Sequence, residues 1–258
     1  MSSGEMRAVV TGAGAGLGRE LVSMFAARGV AVAMVDRDAA GLEATRGGLP
    51  PAARTLSIAQ DLTAEGAGEA IIGQIEAAWG GLDILVNNAG YGAIEPFFEM
   101  SAGLWNRTLA INVVALVMLS RAAGEAMKRS GGGRIVNITS PASRMALPNY
   151  AAYAASKAAV DSITRTSAIA LAPFGITVNS VSPGMMDTEM QRVTERALAR
   201  AEGREDFDEF IAERTRRAPL GRRARIDEVA AAVIWLALDA PAYITAERLN
   251  ASGGMDRD

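Results

Sequence analysis

The chain has 258 residues, with 26 Lys plus Arg against 29 Asp plus Glu, a net charge of −3 that offers no general attraction to phosphate backbones or anionic membranes. It contains no Cys, so disulfides, thiolate metal sites and cysteine nucleophiles are excluded, and no His, so acid-base chemistry must come from Asp, Glu, Lys or Tyr. Half the residues are apolar, enough for one sizeable core, and a single domain over 1–258 is expected.

Short β-branched runs alternate with longer helix-period segments along the whole chain. Residues 8–10, 31–35, 54–58, 84–86, 134–138 and 176–181 read as strands, and residues 17–28, 64–79, 104–128 and 150–171 as helices. This alternation predicts an α/β fold, a doubly wound, Rossmann-like parallel sheet with helices on both faces. After the sixth strand the pattern changes: residues 185–204 and 205–217 read as two polar helical pieces before the apolar helix 227–238. That insertion, 185–217, is expected to form a substrate lid. The apolar runs 113–119 and 229–238 fall short of the roughly 18 residues of a membrane span, and residues 1–7 carry no basic-then-apolar leader, so a cytoplasmic protein is expected.

The first strand runs into Thr11-Gly12-Ala13-Gly14-Ala15-Gly16-Leu17-Gly18 and then a helix. Glycines let a backbone approach a pyrophosphate, and a helix N-terminus supplies free N–H groups and a positive dipole end. Gly12, Gly16, Leu17 and Gly18 are therefore candidate cofactor residues, against the plainer reading of a glycine-rich turn. At the end of the second strand, Asp36 can accept both hydroxyls of an adenosine ribose and would repel a 2′-phosphate, which favours NAD over NADP. It could equally be an N-cap. Arg37 could meet a 2′-phosphate, but beside Asp36 it is better read as covering the adenine.

Tyr153 and Lys157 lie four residues apart, on one face of the predicted helix. A fixed ammonium favours phenolate and would lower the tyrosine pKa toward neutrality, as a general acid-base residue requires. Such a pair taken alone is more often a surface contact.

The chain as a whole resembles the short-chain dehydrogenase/reductase family. The resemblance rests on Thr11-Gly12-x-x-x-Gly16-x-Gly18, Asp61, Asn87-Asn88-Ala89-Gly90, Asn112, Ser140, Tyr153 with Lys157, and Pro183-Gly184 with Thr188. It implies that Tyr153 is the general acid-base, that Lys157 lowers its pKa and binds the nicotinamide ribose, that Ser140 bonds the substrate oxygen, and that Asn112 holds a water. It further implies that Asp61 and Leu62 flank the adenine, that Asn88, Ala89 and Gly90 run beneath the adenosine ribose, and that Pro183, Gly184, Met186 and Thr188 hold the carboxamide. Tyr150 lacks an ammonium four residues on and is assigned to the substrate pocket, with Tyr91, Ile94, Pro141, Arg144, Met145, Met185 and Met190.

The expected activity is NAD(H)-dependent interconversion of a secondary alcohol, with a polyol, sugar or acyloin favoured, and its ketone. Alternatives are an NADPH-dependent 3-oxoacyl-carrier-protein-type ketoreductase and a non-catalytic nucleotide sensor. No metal, nucleic acid or membrane partner is expected, and a homotetramer or homodimer is. The six arginines from Arg214 to Arg225 are read as a solvated, partly self-neutralising surface, the alternative being a basic rim for a charged substrate or acyl carrier. Trp79, Trp105 and Trp235 are read as core or interface residues.

Overall fold

A computed structural model of the chain describes residues 5–92 and 94–256. Seven parallel strands form one sheet in the order β3-β2-β1-β4-β5-β6-β7. They are β1 (Arg7–Thr11), β2 (Ala31–Asp36), β3 (Thr55–Ala59), β4 (Ile84–Asn87), β5 (Gly133–Ile138), β6 (Ile176–Pro183) and β7 (Arg248–Ala251). Between them run α1 (Gly16–Ala27), α2 (Ala39–Gly47), α3 (Ala67–Trp79), α4 (Ala102–Leu109), α5 (Leu116–Ser130), α6 (Ala151–Leu171), α7 (Glu189–Ala201), α8 (Phe207–Arg216) and α9 (Ile226–Ile234).

Period-two alternation divides the core between two faces. Ala8 and Val10 of β1 join Leu21 and Phe25 of α1 and Val233 of α9 on one side. Val9 joins Ile71 and Ile75 of α3 and Met127 of α5 on the other. Buried on both faces, the central strands are almost wholly apolar, as parallel sheets require.

The expected doubly wound sheet is present, with differences in detail. Helix α2 escaped the pattern analysis because it is nine residues long and follows directly on β2; the Asp38 side chain caps it by accepting from the Ala40 N–H. Strand β7, four residues containing Arg248 and Asn250, carries no apolar alternation to mark it. The expected helix 104–128 is interrupted by a π-helical stretch, Ala110–Ala115, so that residues 102–130 form one long, apolar run. That run is long and apolar enough to cross a membrane, but half of it is buried inside the fold, with Leu119, Ala123 and Met127 in the core. The two polar helical pieces are α7 and α8, which Thr188 and Asp206 start by accepting from the N–H groups of Gln191 and Glu209.

Strand order reverses between β1, which leads outward to β2, and β4, which leads the other way. Crevices for ligands open at the C-terminal strand ends at such a point, and the candidate residues cluster there.

Candidate active site

The turn between β1 and α1 is built for close backbone approach. Gly12 and Gly16 adopt φ of +67° and +51°, and a Cβ on Gly18 would stand 1.9 Å from the Gly12 carbonyl oxygen. Helix α1 starts at Ala15 with no side-chain cap. Its first-turn N–H groups are thus left to an incoming acceptor, which suits a pyrophosphate.

Asp36 stands at the end of β2, where its Oδ2 accepts from the Gly14 N–H at 2.9 Å and its Oδ1 from the Asp38 N–H at 3.1 Å. The carboxylate is thereby held against the glycine turn. Arg37 is exposed and close enough to Asp61 to help hold that carboxyl below its usual range, an effect led by hydrogen bonds from the Thr63 backbone and side chain. Leu62 packs at the edge of the core.

At the end of β4, the Thr11 hydroxyl accepts from the N–H groups of Asn88 and Ala89, both at 3.0 Å, and the Asn88 side chain donates to the Thr11 carbonyl at 2.9 Å. The motif alone points to no separate role for Thr11. It ties the glycine turn to the Asn88–Gly90 segment, so both present one surface.

Asn112 lies in the π-helical stretch, buried, and its side chain is fully engaged as a donor. Its Nδ2 donates to the Tyr91 carbonyl at 3.0 Å and to Ser156 Oγ at 2.9 Å, and its Oδ1 accepts from the Tyr91 N–H at 2.7 Å. The side chain thus pins the loop after β4 to α6.

Ser140 follows β5 in extended conformation, φ −165° and ψ 152°, as the following Pro141 demands. Its Oγ accepts from the Ala142 N–H at 3.2 Å, leaving the hydroxyl proton to donate elsewhere. Thr139, the preceding hydroxyl, turns into α6 and donates to Asp161 at 2.7 Å.

Tyr153 and Lys157 share a face of α6 with the Lys157 Nζ 5.8 Å from the tyrosine ring centroid. Burial raises the Tyr153 pKa above the ordinary phenol value, opposed by hydrogen bonding with Ser140 and reinforced by Tyr150. In the protein alone, desolvation disfavours the phenolate, and the Lys157 ammonium is directed to the Ile138 carbonyl, at 2.9 Å. Burial also brings Lys157 down to about 8, against an upward pull from Asp161.

Tyr150 is buried among Leu198, Ala199 and Phe210, with Ile94 and Tyr153 packed against the same cluster, so α7 and α8 rest on the tyrosine segment. Its hydroxyl accepts from Arg214 Nη2 at 3.3 Å. Tyr91 lies under the Arg107 guanidinium, 4.7 Å from its ring centroid, and Met190 and Thr194 of α7 face Gly92. Pro141 is buried, Met145 half-buried and Arg144 exposed along the loop after Ser140. Met185 lines a cavity with Gly184, Ala218, Leu220, Ala224 and Ser252, and its carbonyl accepts from the Ala224 N–H at 2.9 Å. Met186 packs on the α1 side of the core, and Thr188 caps α7.

The arginine cluster divides. Arg222 and Arg225 make exposed pairs with Glu228 and Asp227, as expected of a solvated face. Arg223 and Arg214 instead converge on Glu195, which is 1% exposed, at 2.8 and 3.7 Å. Mixed charge in sequence marks a surface, but tertiary packing turns two of the six arginines, Arg214 and Arg223, inward. Trp79 packs beside the α3 core and Trp235 is 40% exposed.

Comparison with known proteins agrees with this arrangement. A family model described as enoyl-(acyl carrier protein) reductase matches residues 12–256. The chain is 34% identical over 249 residues to the NAD-dependent glycerol dehydrogenase of Listeria innocua, covering 96% of this chain and 92% of that one. It is 37% identical over 251 residues to the L-tagatose-forming galactitol 2-dehydrogenase of Cereibacter sphaeroides, covering 96% and 93%. Among solved structures, a variant of actinorhodin polyketide ketoreductase with NADPH superposes with a TM-score of 0.93 at 30% identity, covering 98% of both chains. An ordered glycine turn, a Ser–Tyr–Lys set at the strand ends and near full-length similarity to alcohol dehydrogenases and ketone reductases lead to one conclusion: the chain belongs to the short-chain dehydrogenase/reductase family, nicotinamide-dependent oxidoreductases of alcohols and ketones.

Proposed function

We propose that the protein is an NAD(H)-dependent oxidoreductase that interconverts a secondary alcohol of a polyol, sugar or acyloin with its ketone. The observation that carries this reading is Asp36, a carboxylate held against the phosphate turn by the Gly14 N–H, where it accepts ribose hydroxyls and repels a 2′-phosphate. The similarity to glycerol and galactitol dehydrogenases supports the substrate class.

In this reading the uncapped first turn of α1 binds the pyrophosphate, Asp36 the adenosine ribose, and Asp61, Leu62 and Arg37 border the adenine. Asn88, Ala89 and Gly90 line the ribose, and Pro183, Gly184, Met186 and Thr188 border the carboxamide. Bound there, the dinucleotide supplies hydride exchange and, when oxidised, a positive charge. A positive charge held there would favour the Tyr153 phenolate against the burial that raises its pKa.

During oxidation the Tyr153 phenolate takes the hydroxyl proton as the carbinol C–H bond gives up its electron pair and the carbonyl forms. In reduction the phenol returns that proton. Ser140, which hydrogen-bonds with Tyr153 and whose Oγ accepts from the Ala142 N–H, donates its hydroxyl hydrogen to the same substrate oxygen once substrate is bound. Lys157 holds the nicotinamide ribose, and Asn112 holds a water in the proton relay. Residues 185–217 close over the substrate, with Tyr150, Tyr91, Ile94 and Met190 around it. The expected enzyme is cytoplasmic and homo-oligomeric; Val114 and Met118, one turn apart, and Ile169 of α6 are 53%, 42% and 72% exposed, an apolar outer face suited to a second copy.

The test is reduced-nicotinamide absorbance with NAD or NADP and a panel of alditols, sugars, acyloins and 3-hydroxyacyl thioesters. Signal with NAD and an alditol is expected. Signal with NADP and a thioester alone would transfer the assignment to a ketoreductase, the second reading, which the likeness to the NADPH-bound polyketide ketoreductase favours.

A further inference from the structure

Behind Ser140 lies a buried charge cluster that binding and proton transfer leave unused. Asp161, on α6 one turn beyond Lys157, spends both oxygens on the loop after β5: Thr139 Oγ1 donates to it at 2.7 Å and Ser143 Oγ at 2.6 Å. Arg248 enters from β7, and from its Nη2 donates to the Ser140 carbonyl at 3.0 Å, to Ser182 Oγ at 2.9 Å and to the Asp256 carboxylate. Its Nε stands 3.6 Å from Asp161. Side-chain exposures are 8% for Arg248 and Asp161 and 2% for Asp256.

This is a costly way to fill an interior. Desolvating charges is unfavourable unless every donor is satisfied, yet Arg248 Nε and Nη1 have no hydrogen-bond partner among the described residues. All the bonds of this guanidinium issue from the one nitrogen that reaches Ser140. Counting the Lys157 ammonium on the Ile138 carbonyl, the segment is held at residues 138, 139, 140 and 143 in turn.

We propose that Arg248 and Asp161 are positioning residues that fix the Ser140 hydroxyl for the substrate oxygen, clamping its loop from the face opposite the substrate. This rests on the reading of Ser140 given above. Tolerance is small at such a position: a misplacement of about 1 Å can cost about 100-fold in rate. The clamp reaches Ser140 through its main-chain carbonyl, from Arg248 at 3.0 Å, and makes none of its bonds to the glycine turn at residues 12–18.

The test compares wild type, Arg248→Lys, Asp161→Asn, Ser143→Ala and Ser140→Ala, together with the Ser140→Ala/Arg248→Lys double variant. Two readouts are taken: backbone hydrogen exchange, and NAD-linked oxidation of galactitol with NADH affinity measured separately. Arg248→Lys keeps the charge but not the reach to the carbonyl, and Ser143→Ala removes one anchor only, so folding is preserved. Faster exchange confined to residues 139–145, unchanged NADH affinity, and a fall in kcat of about 10- to 100-fold in Arg248→Lys and Asp161→Asn are expected. Arg248→Lys should add less than about three-fold on the Ser140→Ala background, since interacting sites are not additive. Unchanged exchange at 139–145, or full additivity with Ser140→Ala, would overturn the proposal. Ser140→Ala with undiminished turnover would instead remove the role of Ser140 itself, and the exchange measurement separates that failure from the first.

Discussion

The Lys157 ammonium donates to the Ile138 carbonyl at 2.9 Å, binding the middle of α6 to the end of β5. Burial of that ammonium brings its pKa from 10.5 to about 8. A folded-state pKa below the unfolded value means the unfolded chain binds more protons between those limits, so this group's destabilisation is complete below pH 8 and is relieved as pH rises toward 10.5. Lys157→Met should therefore lose its stability relative to wild type progressively across that window. Urea melts of both proteins from neutral pH upward check this, and a pH-independent difference would contradict it. Turnover should be lost at every pH.

Tyr153→Phe removes the ionisable hydroxyl of the side chain while keeping the ring that packs beside Tyr150, 6.3 Å between centroids. Loss of a positioned acid-base typically costs about 100- to 10,000-fold, so turnover should fall by that order with NADH affinity within about two-fold. Stopped-flow turnover and fluorescence titration measure the two separately. Tyr150→Phe should instead mainly raise KM.

Gly18→Ala places a methyl 1.9 Å from the Gly12 carbonyl oxygen, a backbone atom that cannot rotate away. The turn must open, and the first-turn N–H groups of α1 lose their common focus. Calorimetric titration should show NADH affinity lowered by about ten-fold or more, a cost of roughly 1.4 kcal/mol. Wild-type affinity would refute the phosphate role.

Asp36→Ser removes the carboxylate that accepts from Gly14 and Asp38 and leaves Arg37 as the dominant charge at the ribose end. NADP should then gain on NAD, with the ratio of their kcat/KM values shifting by about ten-fold or more, roughly 1.4 kcal/mol. An unchanged ratio would show that Asp36 does not set cofactor choice.

Glu195→Gln leaves Arg214 and Arg223 without the buried carboxylate they share, 1% exposed and also bonded by Gln191 Nε2 at 2.8 Å. Breaking a buried ion pair from one side costs about 3–5 kcal/mol, and α7 and α8 are the elements that bear it. Limited proteolysis within residues 189–216 should accelerate and substrate KM should rise. Loss confined to the global melting temperature, with the lid still protected, would contradict this assignment.

The alternation of strands and helices, the glycine turn, the Tyr153–Lys157 face and the extended Ser140 before Pro141 were legible because each depends on neighbours a few residues away. Period two, a four-residue helical spacing and the steric demand of proline are local rules. Other features required the folded chain. Strand β7 is too short and polar to announce itself, and the inward turn of Arg214 and Arg223 depends on Glu195, an element away. Arg248 bonds to the Ser140 carbonyl from 108 residues further along the chain, a contact no local pattern encodes. The Tyr153 pKa lies above the ordinary phenol value because burial outweighs the hydrogen bonding with Ser140 that lowers it. Sequence alone determined which chemical groups are present and how they repeat; tertiary structure decided which of them are desolvated together, and desolvation sets the strength and sign of their interactions.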